Sequence, residues 1–238
     1  MRTDASEGYA REIAAGLQRA HDELGARLGC PDSDLARPVE VIAVTEREPL
    51  RELLREVPEQ TWWLDGRSVV LTGAESAVGS RLARHVSAHR WLTRCHRRAP
   101  AWLVEGFARL AEEEELRVAG VFADEVRGLG PSAFETGEEA AAHREAAGAL
   151  VASLLGGSAE RRAAFQAYLQ AIDEGVQEDE AWTRHLDALV VGAGVEAGLV
   201  ERETGDPRSP PVVHAGALSR ADSAVARATV WVAAGRPE

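Results

Sequence analysis

The sequence contains no lysine, so all 27 of its basic residues are arginines. This absence excludes an enzyme that forms a Schiff base through lysine and a nucleotide hydrolase that depends on the lysine of a phosphate-binding loop. Asparagine is absent as well, so the chain offers no acceptor for N-linked glycosylation.

Cysteine is nearly absent, and long apolar runs are missing. Cys30 and Cys95 are too few to form a disulfide framework. The first residues, MRTDASEGYAREIAAGL, include acids and lack the apolar core of a secretory signal. The most apolar stretch, residues 188–200, contains Glu196 and several glycines and is too short to span a bilayer. We therefore expect a soluble, cytoplasmic protein.

The charge balance is acidic, with a formal net charge of -12 over 238 residues. A chain this acidic is a poor partner for nucleic acid or an anionic membrane, and the surplus of acids is most simply explained by solubility. The length suits one domain with a substantial core. We predict a domain over residues 1–203, a Pro/Gly-rich linker over 204–217, and a C-terminal helix over 218–238.

The residues with the clearest chemical pattern lie between Arg81 and Glu115. His85 and His89 are four residues apart, so on a helix both imidazoles lie on one face and can reach one ion. Glu105, in the run WLVEGFA, can supply a third ligand from the following helix and leave a fourth position open. This arrangement is typical of a catalytic zinc site. A histidine pair that binds no metal is the alternative.

These motifs resemble those of the gluzincin zinc metallopeptidases, in particular the small bacterial peptidase-MA-like domains. That family carries H-E-x-x-H on one helix and W-L-x-E-G-x-A on the next. The second motif is matched by Trp102, Leu103, Glu105, Gly106, Phe107 and Ala108. The first motif departs at one position, where Val86 replaces the family's glutamate. That glutamate is the general base that takes a proton from the zinc-bound water, and valine cannot do so.

The resemblance also implies the fold and one further residue. We expect an α+β fold that is mainly helical and zincin-like, with a small N-terminal mixed sheet packed on the metal-binding helix and a helical C-terminal half. The edge strand of such a sheet can pair with an extended peptide. In gluzincins a tyrosine or histidine near the metal stabilises the oxyanion that forms during attack on the substrate carbonyl. The comparable position here is His143. A surface histidine without that role is the alternative.

Local patterns predict helices over residues 6–29, 48–57, 77–94, 101–118, 159–172 and 178–191, with strands over 39–45 and 68–72 and a hairpin turn at Asp65-Gly66. The run EEAAAHREAAGALVASLL is predicted to be helical too. The connection over 119–137 is expected to be irregular because of its glycines and Pro131.

Three functions follow from these observations. The first is a degenerate metallopeptidase-like protein that binds zinc through His85, His89 and Glu105 but lacks the catalytic base. The second is an active metal-dependent enzyme, a hydrolase or a biosynthetic enzyme, that uses zinc as a Lewis acid with a base from elsewhere. The third is a metal-free interaction scaffold. The expected partner is a peptide or small-molecule ligand at the metal groove, and the sequence does not indicate the oligomeric state.

Overall fold

The computed structural model describes residues 2–3, 6–28, 40–44, 61–65, 68–72, 77–112, 116–117, 123–135, 138–156, 158–190, 199–200 and 216–217. The predicted helices over 48–57 and 218–238 lie outside these residues, as does most of the predicted linker. The helices are α1 (Glu7–Leu28), α2 (Ala77–Cys95), α3 (Ala101–Glu112), α4 (Ala123–Arg127), α5 (Glu138–Gly156), α6 (Ala159–Glu174), α7 (Glu178–His185) and α8 (Asp187–Val190), with a 3₁₀ helix at Pro131–Phe134. We call α2 the histidine helix and α3 the glutamate helix.

Most predicted helices are confirmed, and the differences lie at their ends. The glutamate helix ends at Glu112 instead of continuing to residue 118, and Leu116–Arg117 is extended. The connection over 119–137 is more regular than expected, because it contains α4 and the 3₁₀ helix. The predicted helix over 178–191 is interrupted at Leu186, which separates α7 from α8. No described helix is long and apolar enough to cross a membrane.

The chain divides into two compact units, and the first comprises residues 1–23, 33–87 and 206–238. Its short strands are β1 (Arg2–Thr3), β2 (Glu40–Val44), β3 (Thr61–Asp65), β4 (Ser68–Thr72) and, near the C-terminus, β7 (Gly216–Ala217). Their backbones pair in the order β3-β4-β2-β1-β7. The β3–β4 pair is antiparallel, as expected for a hairpin at Asp65-Gly66, and the other pairs are parallel. The buried apolar side chains of α1 in this unit are Tyr9, Ala10, Ile13 and Ala20.

The second unit comprises residues 24–32 and 88–205 and is built from helices, with one short pair, β5 (Leu116–Arg117) and β6 (Leu199–Val200). The glutamate helix packs along α5, and α6 packs against both α5 and α7. The largest buried side chains of this unit are aromatic or aliphatic, and buried alanines lie among them. Among them are Trp91, Trp102, Phe107, Leu150, Phe165, Tyr168 and Trp182.

The predicted α+β fold class is wrong. The described residues are mainly helical, and a mixed sheet that forms a layer of the fold is not supported. A sheet forms a layer of a domain when one of its faces is buried against another element. The core described here is made by helices packing on helices. The prediction of a zincin-like sheet packed on the metal-binding helix is therefore wrong.

An aromatic cluster holds the first turn of the glutamate helix. The ring centroid of Trp102 lies 6.0 Å from that of Trp182 and 6.4 Å from that of Tyr168, and all three side chains are buried. The Arg127 guanidinium lies 4.1 Å from the centre of the Trp182 ring and covers it. The Trp102 indole Nε1–H donates a 2.7 Å hydrogen bond to Glu178 Oε1. The helix that carries Glu105 is therefore anchored by aromatic packing and by a buried polar contact.

The Glu178 carboxyl makes the stability of this cluster depend on pH. Burial raises the pKa of Glu178 above its ordinary value of 4.5, against the opposing effects of the Trp102 hydrogen bond and of Arg127, whose Nε lies 3.7 Å away. A carboxyl whose pKa is raised in the folded state stabilises that state below the unfolded pKa and loses this contribution as the pH rises through the folded pKa. We expect the wild type to gain unfolding free energy relative to Glu178→Gln as the pH falls from 7.5 to 4.5.

Urea denaturation of both proteins at several pH values measures this difference. Glutamine is the matched replacement because its carbonyl can still accept the Trp102 hydrogen bond. The other titrating groups are shared by the two proteins and cancel. A difference in unfolding free energy that stays constant over this range of pH would show that burial does not dominate the titration of Glu178.

Candidate metal centre

The histidine helix is buried around its whole circumference near its centre. Every residue from Ala83 to His89 is buried, although Arg84, His85, Ser87 and His89 are polar. The Ser87 hydroxyl donates a 3.0 Å hydrogen bond to the Leu17 carbonyl oxygen of α1 and so finds a partner without water. A helix that is enclosed on all sides normally carries apolar residues all round. Polar residues at such positions are therefore candidates for a specific role.

His85, His89 and Glu105 converge on one point. One ligand atom from each residue lies within 4.8 Å of the others. The two histidines are buried and the Glu105 side chain is 18% exposed, so the group is sheltered but reachable from one side. The sequence alone left open whether these three side chains meet, and the structure brings them together. The group can hold a metal ion.

The contact between His89 and Glu105 has the length that a shared metal requires. His89 Nε2 lies 3.3 Å from Glu105 Oε1. Two ligand atoms that are each about 2.0–2.1 Å from a tetrahedral zinc ion lie about 3.3–3.4 Å apart. The same distance suits a hydrogen bond or ion pair between imidazole and carboxylate, so the contact is compatible with both the metal-free and the metal-bound chain. The three residues leave one tetrahedral position for a ligand from outside.

Glu105 is positioned by the residues on either side of it in the glutamate helix. Trp102, Leu103 and Phe107 are buried and fix the rotation of the helix about its axis. Gly106 faces α5 at such close range that a Cβ atom there would lie 2.5 Å from the Ala147 carbonyl oxygen and 2.7 Å from Val151 Cγ2. The structure shows a close helix approach at Gly106, and the partner is the backbone of α5. The motif residues around Glu105 thus serve packing and fix the position of one ligand.

Val86 is completely buried, at 0% exposure, next to His85. In the resembling family this position carries the base that activates the metal-bound water. Here an apolar side chain occupies the position, and it neither accepts a proton nor hydrogen-bonds to water.

His143 is not part of the His85–His89–Glu105 group. It lies on α5, where its Nδ1 is 2.9 Å from the Ala133 carbonyl oxygen and its ring meets Phe134 edge-on. A carbonyl oxygen accepts, so Nδ1 carries the hydrogen in this contact, and in the neutral ring Nε2 then has none. Donation from Nε2 to an oxyanion would require the doubly protonated ring. The role of His143 as an oxyanion donor stays a prediction.

The basic turn after the histidine helix contains contacts that the sequence did not reveal. His96 Nδ1 lies 2.7 Å from Asp173 Oδ2, which joins the end of the histidine helix to α6 across 77 positions of sequence. Cys95 is disulfide-bonded, so it is not available as a thiolate ligand. No local pattern pointed to Asp173, because a partner so distant in sequence is brought near only by the packing of α6.

The triad is the part of the predicted family resemblance that the structure supports. No family model, curated protein or solved structure matches this chain. Assignment to the gluzincin peptidases therefore has no support beyond the three converging side chains.

Proposed function

We propose that this protein binds one zinc ion through His85, His89 and Glu105 and does not hydrolyse peptides. The observation that supports the proposal is the convergence of these three side chains, with their ligand atoms within 4.8 Å of one another. The fourth coordination position is the place for a ligand, and we propose a peptide or small molecule that offers one oxygen or nitrogen donor. The protein then acts as a metal-dependent binding or regulatory module.

Zinc is favoured by the donor set. Two imidazoles and one carboxylate, with the histidines four apart on a helix, form a common three-ligand set of open zinc sites. Two histidines and one carboxylate also bind iron(II) in some oxygenases, so the identity of the metal needs a direct test. The loss of hydrolysis follows from Val86, since a missing general base lowers a rate by about 10²–10⁴-fold.

Elemental analysis after chelator washing and reconstitution tests the metal. The protein is incubated with equal concentrations of zinc, iron(II) and nickel under anaerobic conditions, desalted and analysed. We expect about one zinc per chain and little of the other metals. Retention of iron in preference to zinc would contradict the metal identity, and retention of no metal would contradict the whole proposal.

A Val86→Glu variant tests whether the lack of a general base is the reason that the proposed site does not hydrolyse peptides. We expect a glutamate at this position to supply a base beside the metal, as it does in the resembling family, so that zinc content stays at one per chain and peptide hydrolysis rises by about 10²–10⁴-fold above the wild type. Cleavage of an unstructured fluorogenic peptide library is the measurement.

Val86→Gln is the matched control for that experiment, because glutamine has the same size and polarity but cannot take up a proton. It should bind zinc and remain inactive. A Val86→Glu protein that holds zinc and still cleaves nothing would show that the site never bound peptides for hydrolysis, and the metal-binding proposal would stand without the peptidase ancestry.

A further inference from the structure

A cleft lies where the chain turns from α6 into α7. Its volume is about 510 Å³, within the range of about 300–1,000 Å³ that is usual for sites that bind small molecules. Every residue that lines it belongs to the second compact unit, and none of the three converging metal ligands is among them. Arg98 and Glu178 contribute charged groups to its wall. Three aliphatic residues contribute apolar surface: Pro100, Ile172 and Val176.

The Arg98 guanidinium lies over the backbone of Gly175. This glycine ends α6 with a φ of +96°, in the left-handed region that glycine adopts without strain. A Cβ atom at this position would collide with Arg98 Nη1, so the guanidinium occupies the space that any other side chain would take. Within the part of the chain that the structure describes, the Arg98 guanidinium has no hydrogen-bond acceptor and no ion-pair partner. Its donors are therefore available to a ligand in the cleft.

Glu178, the first residue of α7, contributes the opposite charge. Its Oε1 accepts the 2.7 Å hydrogen bond from Trp102 and lies 3.7 Å from Arg127 Nε, which leaves Oε2 without a partner among the described residues. Burial raises the pKa of this carboxyl. A cationic group bound beside Oε2 would offset that cost and favour the ionised form.

Arg98 and Glu178 line the same cleft, but they do not form an ion pair with each other; the ion-pair partner of Glu178 among the described residues is Arg127. We propose that the cleft binds a free α-amino acid with an apolar side chain. Its carboxylate accepts hydrogen bonds from the Arg98 guanidinium, and its ammonium group donates to Glu178 Oε2. Planar guanidinium and carboxylate groups match in a two-point contact, which fixes the orientation of the ligand.

The two charges of the cleft select against ligands that carry only one. An anion without an amine places its charge near the Glu178 carboxylate with nothing to balance it, and a cation without a carboxylate does the same beside Arg98. Unpaired like charges in one site are an effective means of rejecting a wrong ligand. The aliphatic wall formed by Pro100, Ile172 and Val176 favours an apolar side chain on the amino acid.

Calorimetric titration with three related probes tests the ligand class. L-leucine carries both charges, N-acetyl-L-leucine carries only the carboxylate, and L-leucinamide carries only the ammonium group. We expect L-leucine to bind with a Kd of about 0.01–1 mM and the other two to bind about 10-fold more weakly or worse. No binding of L-leucine at about 10 mM overturns the proposal. Equal binding of the acetylated probe or of the amide overturns it too, and would indicate a peptide C-terminus or N-terminus as the ligand.

Two variants assign the charges of the ligand to their partners. Arg98→Gln should weaken the binding of both L-leucine and N-acetyl-L-leucine by about 10-fold or more, because both lose the carboxylate contact. Glu178→Gln keeps an acceptor for Trp102, and it should weaken L-leucine by a similar factor without weakening N-acetyl-L-leucine. Arg97→Gln is the matched control, since Arg97 is the exposed neighbour of Arg98 and does not line the cleft. Wild-type affinity for L-leucine in Arg98→Gln overturns the proposal.

The amine and carboxylate of an amino acid can also bind zinc, so the metal centre has to be separated from the cleft. The titrations are made on chelator-washed protein and repeated with His89→Ala. An unchanged Kd for L-leucine in His89→Ala supports the cleft as the site. Loss of L-leucine binding in His89→Ala places the ligand at the metal centre and overturns the proposal. Absence of zinc binding by the wild type bears on the proposed function alone, since the cleft contains none of the metal ligands.

Discussion

Replacing His89 by alanine is expected to weaken zinc binding by more than about 100-fold, since the loss of a ligand costs more than the loss of a group that only orients one. His89 is the residue whose Nε2 lies 3.3 Å from Glu105 Oε1, so its removal takes away one ligand and the contact that aligns another. Competition with a chromophoric chelator measures the change in affinity, and elemental analysis measures the metal retained after desalting. His85→Ala and Glu105→Gln should behave in the same way.

His185→Ala is the matched control for this series. His185 is a partly exposed histidine at the end of α7 and is not a member of the converging group. Its replacement should leave the zinc affinity unchanged, which separates a specific site from general binding of zinc by histidines. Wild-type affinity in His89→Ala would show that the metal, if bound, sits elsewhere.

Gly106→Ala is expected to destabilise the protein by about 1–3 kcal/mol, even though alanine is normally the better helix residue. The new Cβ atom would lie 2.5 Å from the Ala147 carbonyl oxygen and 2.7 Å from Val151 Cγ2. The first neighbour is backbone in the middle of α5 and cannot move aside without displacing that helix. The free energy of unfolding from urea denaturation measures the effect.

The same substitution should also weaken zinc binding, because displacement of the glutamate helix moves Glu105 away from the two histidines. Gly25→Ala is the control. Gly25 lies inside α1, and a Cβ atom there would meet nothing within 4 Å. This variant should therefore gain about 0.5–1 kcal/mol from the ordinary preference for alanine in helices. If Gly106→Ala were stabilised to the same extent, the close approach of α5 would not be the reason for glycine at this position.

The sequence was a reliable guide to most of the described helices, and a poor guide to their assembly. The histidine helix was predicted over 77–94 and runs to Cys95, because apolar residues at helical spacing are a local signal. The α+β class came from a resemblance that depended on two short motifs and on the order of elements. It failed because motifs of this length report on the local site, whereas the fold class depends on which faces are buried together.

By itself, the amino-acid sequence determined which side chains are available as candidate metal ligands. The four-residue spacing of His85 and His89 puts both on one helix face, and Val86 places an apolar side chain between them whatever the rest of the fold is. Only the tertiary structure decided that Glu105 meets these histidines, that Gly106 lies against the backbone of α5, and that His96 binds Asp173. Helical periodicity extends over a few residues and can be recognised in the local sequence. Contacts between residues distant in sequence depend on how whole helices pack, and no short motif specifies that packing.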